Sequence, residues 1–200
     1  MHIEARVSES ADRSPRPDTS ATRSPPAAVT RRMQADAERV WDVMATPGAV
    51  ARYHPFCSDN PVTAWPGVGA QDAIHYLSGV VLQRRFTAWD EGKGYELEIG
   101  NAEWPVSHVR WELVAIGPEE SELTISIWPG AFVGYPPALG WLLHRLYLRP
   151  LLRRYLRAVL RGLDYYVTTG RVVAPNQFGR VRLFSYGPTR PPGAATSRGR

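Results

Sequence analysis

The chain has 200 residues, of which 44% are hydrophobic and 22% are charged, and its formal net charge is +5. A chain of this length fits one domain with additional tails, and such a domain can bury a core without covalent cross-links. The single cysteine, Cys57, excludes an intrachain disulfide and a cysteine-rich zinc site. We expect Cys57 to be inert rather than nucleophilic, although His54 lies nearby in the sequence.

Both ends of the chain have little apolar material to bury. Residues 1–27 are rich in Ser, Pro, Arg and Asp and are predicted to form a disordered arm, and residues 188–200 a disordered tail. The first ten residues carry charges and no apolar run, which argues against a secretory signal and predicts a cytoplasmic location. Lys93 is the only lysine among many arginines, a bias typical of a GC-rich bacterial genome.

The core begins with a short strand candidate, "VTRRMQ", followed by an amphipathic helix for which Asp36 is the expected N-cap. Pro47 ends this helix, and "GAVARY" predicts a second short one. Between residues 61 and 130, short segments of alternating polarity are separated by hairpin-length links, which predicts an antiparallel meander. The strand candidates are "PVTAW", "QDAIHYLS", "VVLQRRFTAWD", "GYELEIG", "VSHVRWELVAI" and "ELTISIW".

The last third of the core combines an uncharged stretch, residues 131–144, with a long helical pattern that ends near Gly170. Pro150 is expected to kink or restart this helix. Residues 139–171 hold seven arginines against one aspartate, and most of these arginines lie off the apolar face of the helix. We interpret them as a solvated helix face and expect no nucleic-acid partner.

These elements predict an α+β fold. A curved antiparallel sheet of about six to seven strands would grip the long C-terminal helix, and two short helices would follow the first strand. An antiparallel sheet with one wet face must cover the other, and only the last helix is long enough to do so. Because such a sheet does not close fully on one helix, we expect a cavity between them.

Four segments carry a resemblance to a known family: "QADAERVWDVMATPGAVARYHPF", "RRFTAWDEGKGYELEI", "HVRWELVAIGPEESELTISI" and "RGLDYYVTTG". They resemble the START-like, or SRPBCC, helix-grip superfamily in its polyketide cyclase/dehydrase-like branch, over residues 28–170. Residues 171–187 resemble an appendage of some bacterial members. The resemblance implies binding of a small hydrophobic ligand of lipid, isoprenoid or polyketide-like class, without a cofactor. The alternative that it implies is a polyketide cyclase or dehydratase acting in the same cavity.

The strand patterns indicate which side chains face the cavity. Arg84 shares its strand face with Val80, Leu82, Phe86 and Ala88, where an unpaired charge is costly. It would anchor a carboxylate or enolate of the ligand, or pair with a residue such as Glu98, unless a bulge reverses the alternation. We also expect Phe86, Tyr95 and Trp111 at the ligand. In "QDAIHYLS", either Ile74 and Tyr76 or Ala73, His75 and Leu77 face inward.

Tyr53 and His54 form the only obvious titratable pair near a predicted cavity mouth. His54 would act as a general base there, or else cap the short helix beside Pro55. No second catalytic group is identifiable, so no catalytic residue is assigned and His54 and Arg84 remain candidates. Metal binding has no support because the five histidines are scattered.

Phe132 and Trp141 belong to the uncharged stretch and are the last two residues expected at the ligand. We expect this stretch to fold back as a lid over the cavity or to form an extra turn of the final helix. The less favoured alternative is that residues 131–149 make a peripheral membrane contact, since aromatic residues are followed there by arginines. The oligomeric state stays open at this level.

Overall fold

A computed structural model describes residues 25–130 and 137–185 of the chain. Phe132 and most of the two predicted disordered ends lie outside these residues. The strands are β1 (Ala27–Met33), β2 (Cys57–Asp59), β3 (Val62–Ala64), β4 (Gln71–Tyr76), β5 (Val81–Asp90), β6 (Gly94–Gly100), β7 (Ser107–Gly117) and β8 (Glu120–Trp128). The α-helices are α1 (Ala37–Met44), α2 (Val50–Tyr53), α3 (Pro137–Leu143) and α4 (Arg149–Thr169), and one π-helical turn (His144–Leu148) separates the last two.

The strands form a single antiparallel sheet in the order β1-β8-β7-β6-β5-β4-β2, with β3 also paired to β4. The predicted α+β fold is confirmed: a curved sheet grips α4, and two short helices follow the first strand. The sheet has eight strands among the described residues rather than six to seven. The additional short strand β2 was missed because a strand of three residues shows too little alternation to be recognised.

The two short helices meet at a Pro-Gly joint. The carboxylate of Asp36 accepts a hydrogen bond from the backbone N–H of Arg39 at 2.7 Å, which confirms Asp36 as the N-cap of α1. Trp41 and Met44 are buried and fix α1 against the sheet. Gly48 has φ of 73°, a left-handed conformation that glycine adopts without strain, and it lets α2 leave at an angle.

Helix α4 provides most of the apolar surface that covers the sheet. It begins with Pro150 in its first turn and ends at Gly170, whose φ of 69° is typical of a left-handed C-cap. The guanidinium of Arg31 on β1 binds the carboxylate of Asp164, with Nε 3.0 Å from Oδ2, and this ion pair ties the helix to the edge of the sheet. The buried face of α4 consists of Leu152, Tyr155, Leu156, Ala158, Val159, Leu160, Gly162, Leu163, Asp164 and Val167.

Gly162 lies where α4 crosses α2. A Cβ atom at Gly162 would come within 2.1 Å of the backbone oxygen of Tyr53 and 3.2 Å of Cδ of Pro55. The glycine costs helix stability, but here it allows two backbones to approach more closely than any side chain permits. The contact fixes the position of the chain that leads into His54.

Strand β5 contains a bulge that changes the expected alternation. Leu82, Arg84 and Phe86 are buried as predicted, but the register shifts between Phe86 and Ala88. Ala88 is therefore exposed, and Trp89 takes the inward position. The prediction that Ala88 faces inward was wrong because a bulge inserts one residue into the alternation.

Residues 171–185 follow α4 without regular structure but pack against the domain. The backbone N–H of Val173 donates to the oxygen of Arg52 at 2.9 Å, and that of Asn176 to the oxygen of Pro55 at 2.8 Å. Val181 and Phe184 are buried. The segment therefore closes the same end of the domain that α2 covers.

Among the helices described, none is long and apolar enough to cross a lipid bilayer.

Candidate ligand cavity

A cavity of about 140 Å³ lies between the sheet and α4. Its lining is mainly apolar and comes from every long strand from β4 to β8, from α4, and from the C-terminal segment. Residues of this lining include Ile74, Leu82, Leu97, Val109, Trp111, Ile125, Ile127, Leu152, Leu156, Val159 and Phe184. A space of this size and polarity suits a small hydrophobic molecule, since apolar cavities of about 150 Å³ bind benzene.

One end of the cavity carries a chain of hydrogen-bonding side chains. The backbone N–H of Phe56 donates to Nδ1 of His54 at 3.2 Å, and Nε2 of His54 lies 2.9 Å from the hydroxyl oxygen of Tyr155. That oxygen lies 3.0 Å from the hydroxyl oxygen of Tyr76. His54, Tyr76 and Tyr155 all line the cavity, so this chain forms a polar corner in a mainly apolar space.

His54 lies deeper than the sequence predicted. It is only 4% exposed and sits under α4 rather than at a mouth, because the Gly162 contact draws the end of α2 inward. Burial lowers the pKa of His54 to about 3, and the positive charge of Arg84 acts in the same direction. With both ring nitrogens engaged and the ring neutral, His54 has no lone pair free for a ligand proton.

Tyr53, directly before His54, is buried and lines the cavity as expected. Burial raises the pKa of Tyr53 above its ordinary value. Burial likewise raises the pKa of Tyr76 to about 12 and moves that of Tyr155 well above its ordinary range. All three phenols therefore keep their protons near neutral pH and act as neutral hydrogen-bonding groups.

Arg84 lines the cavity, but its charge is matched inside the protein. Asp72 lies directly opposite Arg84 on β4, and its carboxylate accepts from Nε of Arg84 at 2.6 Å and from Nη2 through a second bond. Burial alone would lower the pKa of Arg84, but the adjacent carboxylate outweighs it and raises the pKa. The partner that the sequence suggested, Glu98, binds Arg85 instead.

Strand β4 settles the alternation that the sequence left open. Ile74 and Tyr76 face the cavity, and Asp72 shares their face. The cavity face of β4 thus begins with the carboxylate that neutralises Arg84 and ends with the hydroxyl that belongs to the polar corner.

Phe86 and Tyr95, two residues expected at the ligand, are buried but do not line the cavity. They belong to an aromatic cluster under α1, with ring centroids 5.0 Å apart. Trp89 stacks on Tyr95 at 5.6 Å and meets Trp41 edge-on at 5.4 Å. These rings pack on the part of the sheet that lies beside the cavity, where the bulge in β5 turns Trp89 inward. Trp111, by contrast, is placed at the cavity as expected.

Trp141 does not lie over the cavity either. It is 52% exposed on α3, and the guanidinium of Arg145 lies 5.5 Å from its ring centroid. Leu146 and Tyr147 on the following π-helical turn are also exposed, whereas Leu148 lines the cavity. Among the residues described, this segment therefore borders the cavity through Leu148 while most of its large apolar side chains face away.

Cys57 is buried, and its thiol contacts the backbone oxygen of Asp59 at 3.1 Å. Burial raises the pKa of Cys57 to about 12, so the reactive thiolate is scarce at neutral pH. The surroundings of the thiol agree with the inert role that the sequence favoured.

Sequence reasoning missed three residues of the polar corner and its surroundings: Tyr76 was left as one of two options, and Tyr155 and Phe184 were given no ligand role. Phe184 stacks on Tyr76 with ring centroids 4.5 Å apart and approaches Tyr155 at 4.7 Å. Tyr155 was recognisable as part of the apolar face of α4, where a hydroxyl needs a partner. For Phe184 no pattern was available, because it follows an irregular segment.

The sequence matches a family described as polyketide cyclase / dehydrase and lipid transport over residues 26–168. The comparison with curated proteins gave no match. Among solved structures, a START superfamily protein from Mycobacterium smegmatis is similar, with 14% identity and a TM-score of 0.58, over 72% of this chain and 98% of that one.

Two further similar structures come from biosynthetic loci and are longer proteins. DynU16, from the dynemicin biosynthetic locus, has 18% identity and a TM-score of 0.57, over 76% of this chain and 52% of its own. The di-domain ARO/CYC StfQ from the steffimycin pathway has 14% identity and a TM-score of 0.53, over 70% of this chain and 44% of its own. At these identities the likeness shows the fold, and this chain spans about half of each of the two.

Proposed function

The chain belongs to the polyketide cyclase / dehydrase and lipid transport family, in the START-like superfamily, and from that premise we propose that it is a carrier or sensor of a small hydrophobic molecule. The molecule would be of lipid, isoprenoid or polyketide-like class and would occupy the cavity between the sheet and α4. The observation that carries this proposal is a mainly apolar cavity with a few polar groups, the usual composition of a site for such ligands.

Binding is favoured over catalysis by the state of the two candidate catalytic groups. A general base needs a free lone pair near the proton that it removes, and both nitrogens of His54 are engaged. An anchor for an enolate needs positive charge that is not already neutralised, and Arg84 is bound by Asp72 through two hydrogen bonds. The role of a polyketide cyclase or dehydratase is therefore our second choice.

Native mass spectrometry of freshly purified protein tests the proposal even though the natural ligand is unidentified. We expect either a specific co-purified mass of a small molecule or, after removal of lipids, saturable binding of the bicyclic hydrocarbon indane at one molecule per chain. A clean apo mass together with no binding of indane would refute the proposal.

A second candidate function, peripheral membrane contact, is favoured by the segment between β8 and α4. Leu146 and Tyr147 are 66% and 67% exposed, and Trp141 lies beside them in the chain. Residues 129–163 contain six arginines and no acidic residue. Exposed aromatic and aliphatic side chains beside arginines suit an anionic bilayer surface, where each basic residue contributes about 1 kcal/mol.

The position of this segment connects the two functions. Pro129 and Leu148, which flank it, both line the cavity. A hydrophobic molecule that leaves a membrane at this segment would thus reach the cavity without crossing water. The lid alternative is less favoured, because most of the described apolar side chains of the segment face solvent.

Vesicle co-sedimentation separates these alternatives. We expect binding to grow with the fraction of phosphatidylserine in phosphatidylcholine vesicles, and the double variant Leu146→Ser/Tyr147→Ser to lose most of it. Val114→Ser, at an exposed valine on β7, is the matched control and should bind as the unmodified protein does. Membrane contact through this segment is excluded if the double variant sediments equally well.

A further inference from the structure

The hydrogen bonds of the polar corner have a defined direction, which starts at His54. The backbone N–H of Phe56 can only donate, and it points at Nδ1 of His54 from 3.2 Å. Nδ1 must therefore be the acceptor, and since the ring is neutral its single proton lies on Nε2. His54 consequently donates from Nε2 to the hydroxyl oxygen of Tyr155 at 2.9 Å.

The direction continues through Tyr155. Its oxygen already accepts from His54, and its own proton has one acceptor within reach among the described residues, the hydroxyl oxygen of Tyr76 at 3.0 Å. The reverse direction would require the proton of His54 on Nδ1, where it would face the Phe56 N–H. Two donors directed at each other in a buried site are strongly unfavourable.

Tyr76 is the end of this chain and keeps a proton with no acceptor. Its oxygen accepts from Tyr155, and no described side chain or backbone oxygen accepts from it. The directions of the pKa shifts agree with this position. Burial raises the pKa of Tyr76 to about 12, and the hydrogen bond with Tyr155 acts against this rise, as it does for a phenol that accepts. Burial also raises the pKa of Tyr155, and the same hydrogen bond adds to that rise, as it does for the phenol that donates.

Two other polar groups of the cavity lining are already engaged within the protein. The cation of Arg84 is held by Asp72, and His54 is committed at both nitrogens. A hydroxyl without an acceptor in an apolar space costs about 1–3 kcal/mol, and a bound molecule regains this only if it brings an acceptor.

We propose that the hydroxyl of Tyr76 donates a hydrogen bond to a carbonyl oxygen of the bound molecule, so that the cavity selects hydrophobic ketones and related carbonyl compounds over pure hydrocarbons. This inference rests on the proposed function, because it assigns a chemical class to the ligand of the same cavity. Tyr76 acts here as a specificity-determining residue, and His54 and Tyr155 act as positioning residues that orient its proton.

A pair of small probes tests the proposal: 1-indanone and indane, which differ by a carbonyl in place of a methylene. We would titrate each into the unmodified protein and into Tyr76→Phe, and follow cavity methyl groups by NMR. The expected result is a Kd for 1-indanone that rises about tenfold in Tyr76→Phe, as one buried hydrogen bond predicts. The Kd for indane should change by less than about twofold. Tyr166→Phe, whose hydroxyl pairs with Arg52 outside the cavity lining, is the control and should change neither.

The outcomes separate this inference from the function on which it rests. If both probes bind the unmodified protein and lose affinity equally in Tyr76→Phe, or lose none, Tyr76 is part of the packing and the carbonyl assignment is wrong. If neither probe binds the unmodified protein, cavity binding itself is refuted and the inference falls with it.

A measurement on the unmodified protein checks the direction of the chain without ligand or mutation. The ¹⁵N chemical shifts of His54 should show a neutral ring protonated at Nε2. A proton on Nδ1 would reverse the chain, leave Tyr76 without a free proton and overturn the proposal.

Discussion

The two regions that border the cavity differ in how far their side chains are buried and paired with one another. At the inner end, around His54, most polar groups have a partner, aromatic rings stack on one another, and α4 approaches α2 closely enough to need a glycine. At the outer segment, residues 139–148, most of the large apolar side chains face solvent and the nearby arginines have no described ion-pair partner.

The stability of the fold explains the arrangement of side chains at the inner end but not at the outer segment. Burial and hydrogen bonding explain the inner end without reference to a ligand, except for the free proton of Tyr76. Exposure of Leu146 and Tyr147 contributes nothing to the folded state, so we assign these residues to contact with something outside the chain. We therefore expect substitutions at the inner end to change stability and those at the outer segment to change binding.

The largest effect is expected from Asp72→Asn, which leaves the buried cation of Arg84 without a counter-charge. Breaking a buried pair from one side costs about 3–5 kcal/mol. Glu98→Gln breaks the neighbouring Arg85–Glu98 pair on the same sheet, but both of its side chains are largely exposed, so about 0–1 kcal/mol is expected. Urea unfolding of both variants measures the difference. Similar losses in the two would show that the Asp72–Arg84 pair is not buried as described.

The next effect concerns the contact between α4 and α2. Gly162→Ala raises helix propensity, yet we expect a loss of about 1–3 kcal/mol because the new Cβ overlaps the Tyr53 oxygen. Arg154→Ala, at an exposed position of the same helix, should change the unfolding free energy by less than about 0.5 kcal/mol. A Gly162→Ala variant as stable as the original would mean that the two backbones are further apart than described.

The buried histidine predicts a dependence of stability on pH. The folded pKa of His54, about 3, is below that of the unfolded chain, so between these values only the unfolded chain binds the proton. Stability therefore rises with pH in this window and is lost as the pH falls from about 6.5 towards 3, by up to about 1.4 kcal/mol per pH unit.

Urea unfolding at pH 6 and pH 4.5 measures this slope. His54→Gln should reduce it, whereas His75→Gln, at a histidine whose side chain is 40% exposed, should leave it close to the original. An unchanged slope in His54→Gln would contradict the buried, neutral histidine.

The smallest effect on stability is expected at the outer segment. Leu146→Ser/Tyr147→Ser removes two large side chains that are already in solvent, so thermal unfolding should shift by no more than the equivalent of about 0.5 kcal/mol. A large loss of stability would show that these side chains are buried in solution, which would favour the lid over membrane contact.

The sequence predicted the fold well because the fold depends on patterns that extend over many residues. Alternation in β5 to β8, the Asp36 cap and the Gly170 terminator all act locally and are visible in the chain. The site was predicted less well because it depends on relations between elements. Register places Asp72 opposite Arg84, a bulge turns Trp89 inward, and the partners of His54 lie on α4 and on its own loop. None of these relations follows from periodicity within one segment.

The central claim, that the cavity binds a small hydrophobic molecule, is tested most directly by filling the cavity. Val109 and Val114 lie on the same strand, but Val109 lines the cavity and Val114 faces solvent. We predict that Val109→Phe, if folded by circular dichroism, loses affinity for indane at least tenfold, while Val114→Phe binds indane as the original does. Equal binding by the two variants would show that indane binds elsewhere and would contradict the claim.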